Sequence, residues 1–305
     1  MEIFFAIRIR GYYLLNFLIE WIKIYRYYSF TIEGIRMILK VNNFSIKQIA
    51  ESGQCFRMNE ISKDKYSLIA FDRYIELRQI NRNTIDITCN EEEYKKIWYN
   101  YFHMGYDYER IYNKLLDGED PFLKEAASYG WGIRILAQDP FEILISFIIS
   151  QNKNIPAIKS SLEAICKMFG KCKRQGSICY YTFPTPQALS EASLEQLRQA
   201  KLGYRDKYVL NAAKTIAKGE VDLEALKKMD HTKAFEILNS FYGVGEKVAN
   251  CISLFGLHHL DRVPVDVWIG RVLEEVYDNK FTWDPYKEYA GIIQQYMFYY
   301  SRRKQ

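Results

Sequence analysis

Leu238-Asn239-Ser240-Phe241-Tyr242-Gly243-Val244-Gly245-Glu246-Lys247-Val248-Ala249 is the stretch whose reading decides the fold. Two glycines flank one apolar residue between two segments of helical periodicity, so the chain turns tightly and starts a second helix. The unpaired N–H groups at that helix start form a ready anion site. A helix–hairpin–helix of this kind grips a DNA phosphate without reading base sequence. Alone, a Gly-x-Gly turn serves equally well as an ordinary connection between packed helices. Gly243 and Gly245 stand as candidate phosphate contacts because of the residues downstream of the turn.

Beyond Lys247 comes Val263-Pro264-Val265-Asp266-Val267-Trp268, with Asp266 nineteen residues from the lysine. Pro264 fixes the direction of the chain, and Asp266 takes the N-cap position of a helix expected over Val267 to Tyr277. Backbone donors and the helix dipole favour negative charge at such a position. Lys247 sits near a helix start, where the same dipole disfavours an ammonium and favours a free, nucleophilic amine. An amine attacking a sugar C1′ displaces the base and leaves a Schiff base, and a nearby carboxylate stabilises the positive charge that develops. Taken singly, a lysine at a helix start is ordinarily solvated and an aspartate before a helix is ordinarily a cap. Together with the hairpin they point to chemistry.

Outward from this core, the pattern divides the chain in two. Phe56 to Met58, Tyr66 to Phe71, Tyr74 to Gln79 and Thr84 to Thr88 are strand-like, with Asn59 to Lys65 as a polar turn. Tyr94, Ile97, Trp98 and Tyr101 then form a helical stripe. Asp139-Pro140 opens a helix with a capping carboxylate and proline in its first turn, and later helices are expected to end at Gly170, Gly203 and Gly219. The fold class is therefore α+β. An N-terminal antiparallel sheet domain spans residues 37–125, followed by a mainly helical domain over 126–305. Residues 1–36 read as an extension, either a surface helix or a non-native start with Met37 as initiator.

Of the 305 residues, 49 % are hydrophobic and 16 % aromatic, which excludes a largely disordered chain. The longest uncharged run in the apolar N-terminus, Gly11 to Ile19, is far too short to span a membrane. The net charge of +5 is unevenly distributed: residues 150–218 hold 12 Lys and Arg against 4 Asp and Glu. This distribution implies one basic face rather than a basic protein. Six cysteines lack any CxxC pair, and the loose group Cys166, Cys172 and Cys179 has no fourth ligand, so no metal and no cofactor is expected. With no secretory signal recognised, the expectation is a monomer with reduced thiols in the cytoplasm, at the nucleoid if bacterial.

The hairpin and VPVDVW segments resemble the helix–hairpin–helix glycosylase superfamily. More narrowly, Ser52-Gly53-Gln54-Cys55-Phe56-Arg57, Ser146 to Ile155, Leu202-Gly203-Tyr204-Arg205 and Tyr289-Ala290-Gly291 resemble the 8-oxoguanine DNA glycosylase/AP lyases. These motifs occur in family order from about residue 41 to about residue 302. The resemblance implies Lys247 as nucleophile and Asp266 as its partner. It implies a base pocket in which the Gly53 carbonyl meets the N7–H of the oxidised base. Cys251 and Phe298 would stack on the two faces of that base, and Gln294 would bind its edge. Asn152, Tyr204 and Arg205 would fill the gap left by the flipped nucleotide and contact the orphaned base. The partner implied is double-stranded DNA containing oxidised guanine.

Two positions depart from that pattern. Ala157 stands where a second cytosine-contacting arginine is usual, and Trp268 replaces a histidine that contacts phosphate. A cluster-bearing relative of the endonuclease III type would need cysteines after the catalytic aspartate, and none follows Cys251. An alkyl-base glycosylase would lack the hairpin lysine. A non-enzymatic DNA-binding module would need the hairpin and the basic face, but not Lys247, Asp266 and the pocket residues together.

Overall fold

The computed structural model describes residues 28–31 and 34–303, so the readings of residues 1–27 lie outside the described residues. The N-terminal part is a six-stranded antiparallel sheet in the order β1-β2-β6-β5-β4-β3. Its strands are β1 (Tyr28–Thr31), β2 (Gly34–Lys40), β3 (Met58–Ser62), β4 (Lys65–Ala70), β5 (Arg73–Asn81) and β6 (Thr84–Ile87). β4 and β6 alternate in burial, which places Leu68, Ile85 and Ile87 on the inner face. That face is covered by helix α1 (Ile46–Glu51) and by the helical stripe: its Trp98 and Tyr101, with Phe102 just beyond, are buried in the sheet's own core, and Tyr94 and Ile97 are partly buried against it. Burying each such side chain contributes roughly 1.5–3 kcal/mol. The stripe forms a helix from Glu91 to Tyr101, with a π-helical turn over Tyr94–Trp98 in its middle.

Two boundaries differ from the sequence reading. The sheet reaches further upstream, since β1 and the first three residues of β2 lie within the stretch taken as an extension. Arg36 interrupts the apolar pattern there, yet its guanidinium is buried and paired with Glu76 at 3.1 Å and Asp86 at 3.2 Å. β3 runs through Ser62, into the expected turn. Its side chains after Met58 are exposed, so this edge strand carries no apolar alternation to read.

The helical part surrounds α2 (Pro140–Ser150), in which every residue from Pro140 to Ile149 except Glu142 is buried. Asp139 caps it as expected, accepting from the Glu142 N–H at 2.8 Å. α3 (Ile155–Phe169), α4 (Asp206–Ala217) and α6 (Glu246–Phe255) pack around α2. α5 (His231–Asn239) packs on α6, and α7 (Val267–Glu275) on α8 (Ala290–Ser301). Gly170 ends α3, and Gly219 follows α4 with φ +72°. Gly203 ends no helix: with φ +61° it opens a short 3₁₀ turn, Gly203–Arg205. The region between α3 and α4 is not wholly helical either. It contains a β-hairpin, β7 (Cys172–Gln175) and β8 (Ile178–Tyr181), whose short strands bury only Tyr180 and carry no periodic apolar signal.

Candidate active site

Six of the sequence-predicted residues line one narrow cavity: Gly53, Lys247, Cys251, Asp266, Gln294 and Phe298. They arrive from four separate segments. Gly53 follows α1, Lys247 and Cys251 lie one turn apart on α6, Asp266 caps α7, and Gln294 and Phe298 lie one turn apart on α8. The two i, i+4 spacings place each pair on one helix face, as the sequence required.

Local structure fixes each member. Asp266 Oδ1 accepts from the N–H groups of Trp268 at 3.0 Å and Ile269 at 2.9 Å, so the carboxylate is held as the α7 cap. Those bonds also anchor the start of the helix that carries half-buried Trp268, over whose ring Arg271 lies at 5.4 Å. Gln294 is buried. It donates to the Pro264 carbonyl at 3.0 Å and accepts from Gln295 at 3.1 Å, which presets its amide orientation. Gly53 adopts φ +76°, and a Cβ there would lie 3.3 Å from the Phe298 ring. Gln54 pins this glycine loop: its buried side chain bonds Ser52 Oγ, the Arg134 carbonyl and the Leu136 N–H, each at 2.8 Å.

Phe147 and Phe255 stack at 5.5 Å in the cavity wall, and the Lys247 ammonium nitrogen lies 5.5 Å from the Phe147 ring centre. The amine therefore sits against an apolar wall. Burial pushes the Cys251 thiol up, against the opposing pull of Lys247, so this wall stays neutral. Sequence reasoning assigned no role to Phe147, Phe255 or Gln295. Phe147 lay inside a quoted motif, but an apolar residue in an apolar helix gives no sign of facing a cavity. The cavity volume is about 40 Å³, room for little more than one water molecule. A base enters only if the lining moves, and half-buried Phe298, with Arg302 over its ring at 5.1 Å, is one of the lining residues that is not fully enclosed.

A second group surrounds the hairpin. Gly243 has φ +81°, and a Cβ there would fall 2.3 Å from the Tyr208 ring, so the turn is pressed onto that tyrosine. Gly245 is the exposed N-cap of α6. Tyr208 meets Tyr242 at 4.8 Å and Tyr204 at 5.9 Å between ring centres. Tyr204 and Tyr242 are 51 % and 57 % exposed, an unusual pair of outward rings. Asn152 is exposed with φ +49°, and its amide donates to the Tyr204 hydroxyl at 3.2 Å. Gln151, a residue that sequence reasoning passed over, joins these parts. Its side chain donates to the Gly243 carbonyl at 3.0 Å, while its own carbonyl accepts from Arg205 Nε at 2.7 Å.

Arg205 is placed differently from what the resemblance implies. It is buried, it also donates to the Leu202 and Asn152 carbonyls, and it lies under the Tyr204 ring at 4.4 Å. Its donors brace the loop from within instead of projecting toward a base.

Two family models meet within this chain. The N-terminal domain of 8-oxoguanine DNA glycosylase matches residues 36–144, and the HhH-GPD superfamily of base excision DNA repair proteins matches residues 145–295. A solved structure of MBOgg1 in complex with a low-affinity DNA ligand is 36 % identical, with TM-score 0.84 over 91 % of this chain and 99 % of that one. The chain belongs to the 8-oxoguanine DNA glycosylase family. The Clostridium acetobutylicum 8-oxoguanine glycosylase/lyase, solved with double-stranded DNA carrying cytosine opposite 8-oxoG, is 35 % identical, with TM-score 0.83 over 91 % and 98 % of the two chains. A Methanothermobacter thermautotrophicus protein named "Probable N-glycosylase/DNA lyase" is 32 % identical over 66 % of this chain and 73 % of its own length. The protein is thus a base-excision DNA glycosylase with AP lyase activity, and not a binding module alone. Among the described residues, no helix is long and apolar enough to cross a membrane, and no group of three or more His, Cys, Asp or Glu is placed to hold a metal ion.

Proposed function

We propose that the protein acts as a monomer on double-stranded DNA, flips 8-oxoguanine into the cavity between Cys251 and Phe298, and excises it through Lys247. The observation that carries this reading is the convergence of four chain segments on one cavity that contains an amine, a capped carboxylate and an amide fixed by its neighbours. The Lys247 nitrogen lone pair forms a bond to C1′ as the glycosidic bond breaks, and the bonding pair departs with the base. Asp266, held by backbone donors, stabilises the positive charge on the sugar during that exchange. The adduct gives up a proton from its nitrogen, and the C1′–O4′ bond breaks with its electron pair going to O4′, which takes up a proton, leaving an open-chain Schiff base. The Schiff base loses a C2′ proton as the 3′ phosphate oxygen leaves with its bonding pair, which cuts the strand. Gly53 discriminates: its carbonyl accepts the N7–H of the oxidised base, whereas ordinary guanine would oppose two acceptors.

Flipping costs a few kcal/mol of unstacking, which wedge residues offset. Asn152 and Tyr204 are the exposed side chains suited to the vacated stack, and the hairpin glycines Gly243 and Gly245 suit the phosphate. Arg205 supports them from beneath, and Trp268 offers an indole N–H to the backbone.

The test is borohydride trapping on a duplex with a single 8-oxoguanine, with Lys247→Gln as control. A covalent complex that disappears in the variant supports the lysine nucleophile. Base release without trapping means that activated water performs the chemistry and the role given to Lys247 is wrong. Neither release nor trapping, from folded protein that still binds DNA, leaves the binding function alone standing.

A further inference from the structure

We propose that Cys172 and Cys179 are a reversible disulfide site, formed by exchange with low-molecular-weight disulfides on the outer face of the β7–β8 hairpin. The register pairs Cys172 with Tyr181 and Arg174 with Cys179 across a two-residue turn, Gly176-Ser177, in which Gly176 has φ +58°. Side-chain alternation then puts both cysteines on one face as diagonal neighbours. Their sulfurs lie 2.9 Å apart and both residues are exposed. Bond formation brings the sulfurs from 2.9 Å to about 2.05 Å.

The opposite face of the same hairpin is occupied. Lys173 and Tyr180, a paired couple, both reach Asp72 of the sheet domain, at 3.3 Å and 3.1 Å from its carbonyl. Arg57 secures the Tyr181 carbonyl. The hairpin is therefore docked by one face and presents thiols on the other, so the cross-link forms without undocking it.

The remaining cysteines are unsuited to the reaction. Cys55, Cys89, Cys166 and Cys251 are buried, and burial pushes their thiols up, to about 12 for Cys89 and Cys166. A thiol needs both access and thiolate character to react. At the hairpin, contact with Cys179 raises the Cys172 thiol, while Arg174 on the same face acts in the opposite direction. In the first step, one thiolate attacks a disulfide RSSR and releases one RS⁻. In the second, the neighbouring thiolate attacks the mixed disulfide and releases the other. Two thiol protons and two electrons leave the protein as two RSH. The second step is intramolecular between sulfurs already in contact, so the mixed disulfide does not persist.

The test uses the full chain incubated with oxidised glutathione, quenched with an alkylating agent in denaturant and analysed by intact mass and non-reducing peptide mapping. The expected result is four alkyl groups in place of the six on the reduced protein, one cross-linked peptide joining Cys172 to Cys179, a reduced Cys251, and full reversal by dithiothreitol. Cys172→Ser and Cys179→Ser should each abolish the cross-link and accumulate glutathione on the surviving thiol. Six alkylated cysteines after oxidation, a stable glutathione adduct on the unmodified sequence, or a cross-link through any other cysteine would overturn the proposal.

Discussion

The base pocket and the hairpin surface are built on opposite principles. In the pocket, Cys251 and Gln294 are nearly inaccessible, Gln294 is bonded on both sides, and the cavity is small. Around the hairpin, Asn152, Tyr204 and Tyr242 stand in solvent and are tied to one another by a single amide–hydroxyl bond and ring edges. A pocket that must distinguish one hydrogen on a purine needs donors and acceptors that cannot turn to suit the wrong base. A surface that replaces an extruded nucleotide needs side chains free to enter a stack of bases, held at their roots only. The roots are supplied by Gln151 and Arg205, which sit behind the exposed residues.

The largest effect expected from this contrast is at Gly53. Gly53→Ala introduces a Cβ 3.3 Å from the Phe298 ring at φ +76°, a conformation alanine adopts at a cost. Excision of 8-oxoguanine should fall on the order of 10²-fold, the scale of an ångström-level misplacement. Trapping on a preformed abasic site, which needs no base in the pocket, should remain near the unsubstituted rate. Equal losses on both substrates would mean that Gly53 supports the chemistry or the fold, and that the pocket is less exacting than its small volume implies.

A smaller effect is expected at the hidden support of the surface. Gln151→Leu keeps the side-chain volume but removes the bond to the Gly243 carbonyl, loosening the hairpin and the Asn152 loop together. Affinity should drop roughly tenfold for damaged and undamaged duplex alike, since the contacts affected position the backbone and do not read the base. Combined with Tyr204→Ala in a double-mutant cycle, the losses should be non-additive by about 0.5–3 kcal/mol if the surface acts as one unit. Strict additivity, measured by equilibrium binding, would show that the exposed residues act separately.

The two regions also differed in how well the sequence revealed them. The pocket was legible because its constraints are local: Lys247 and Cys251, like Gln294 and Phe298, are four residues apart on helices, and the Asp266 cap announces itself. The family resemblance then joined segments that spacing alone could not bring together. Around the hairpin, the decisive contacts are long-range and involve backbone carbonyls. Nothing local to Arg205 indicates that its guanidinium is spent on residues 151, 152 and 202, and nothing local to Gln151 indicates that it reaches Gly243. The missed strands have a related cause. β1 and the start of β2 sit in a segment read as an extension, and the partners that let Arg36 be buried in the sheet, Glu76 and Asp86, lie 40 and 50 residues away. The β7–β8 hairpin, mostly exposed, leaves no apolar period to detect.

The smallest effect expected lies at the edge of the surface, at Ala157. This residue occupies the first turn of α3, where its N–H is capped by the Asn154 side chain at 2.9 Å, and it is half-buried. The family's usual arginine there would supply donors to a cytosine across from the lesion, and alanine supplies none. We therefore expect excision rates that vary little among the four bases opposite 8-oxoguanine. Ala157→Arg should introduce a preference for cytosine of up to about tenfold, the lower part of the ~1–3 kcal/mol range for a good bidentate contact. The gain is held down by two features of the site. A cation at a helix N-terminus opposes the dipole by about 0.3–1 kcal/mol, and the long side chain must leave a half-buried position to reach the base. Single-turnover excision on four duplexes that differ only in the opposite base measures this directly. A strong cytosine preference in the unsubstituted protein would place opposite-base reading on Asn152 and Tyr204 alone, and the surface would then be as selective as the pocket.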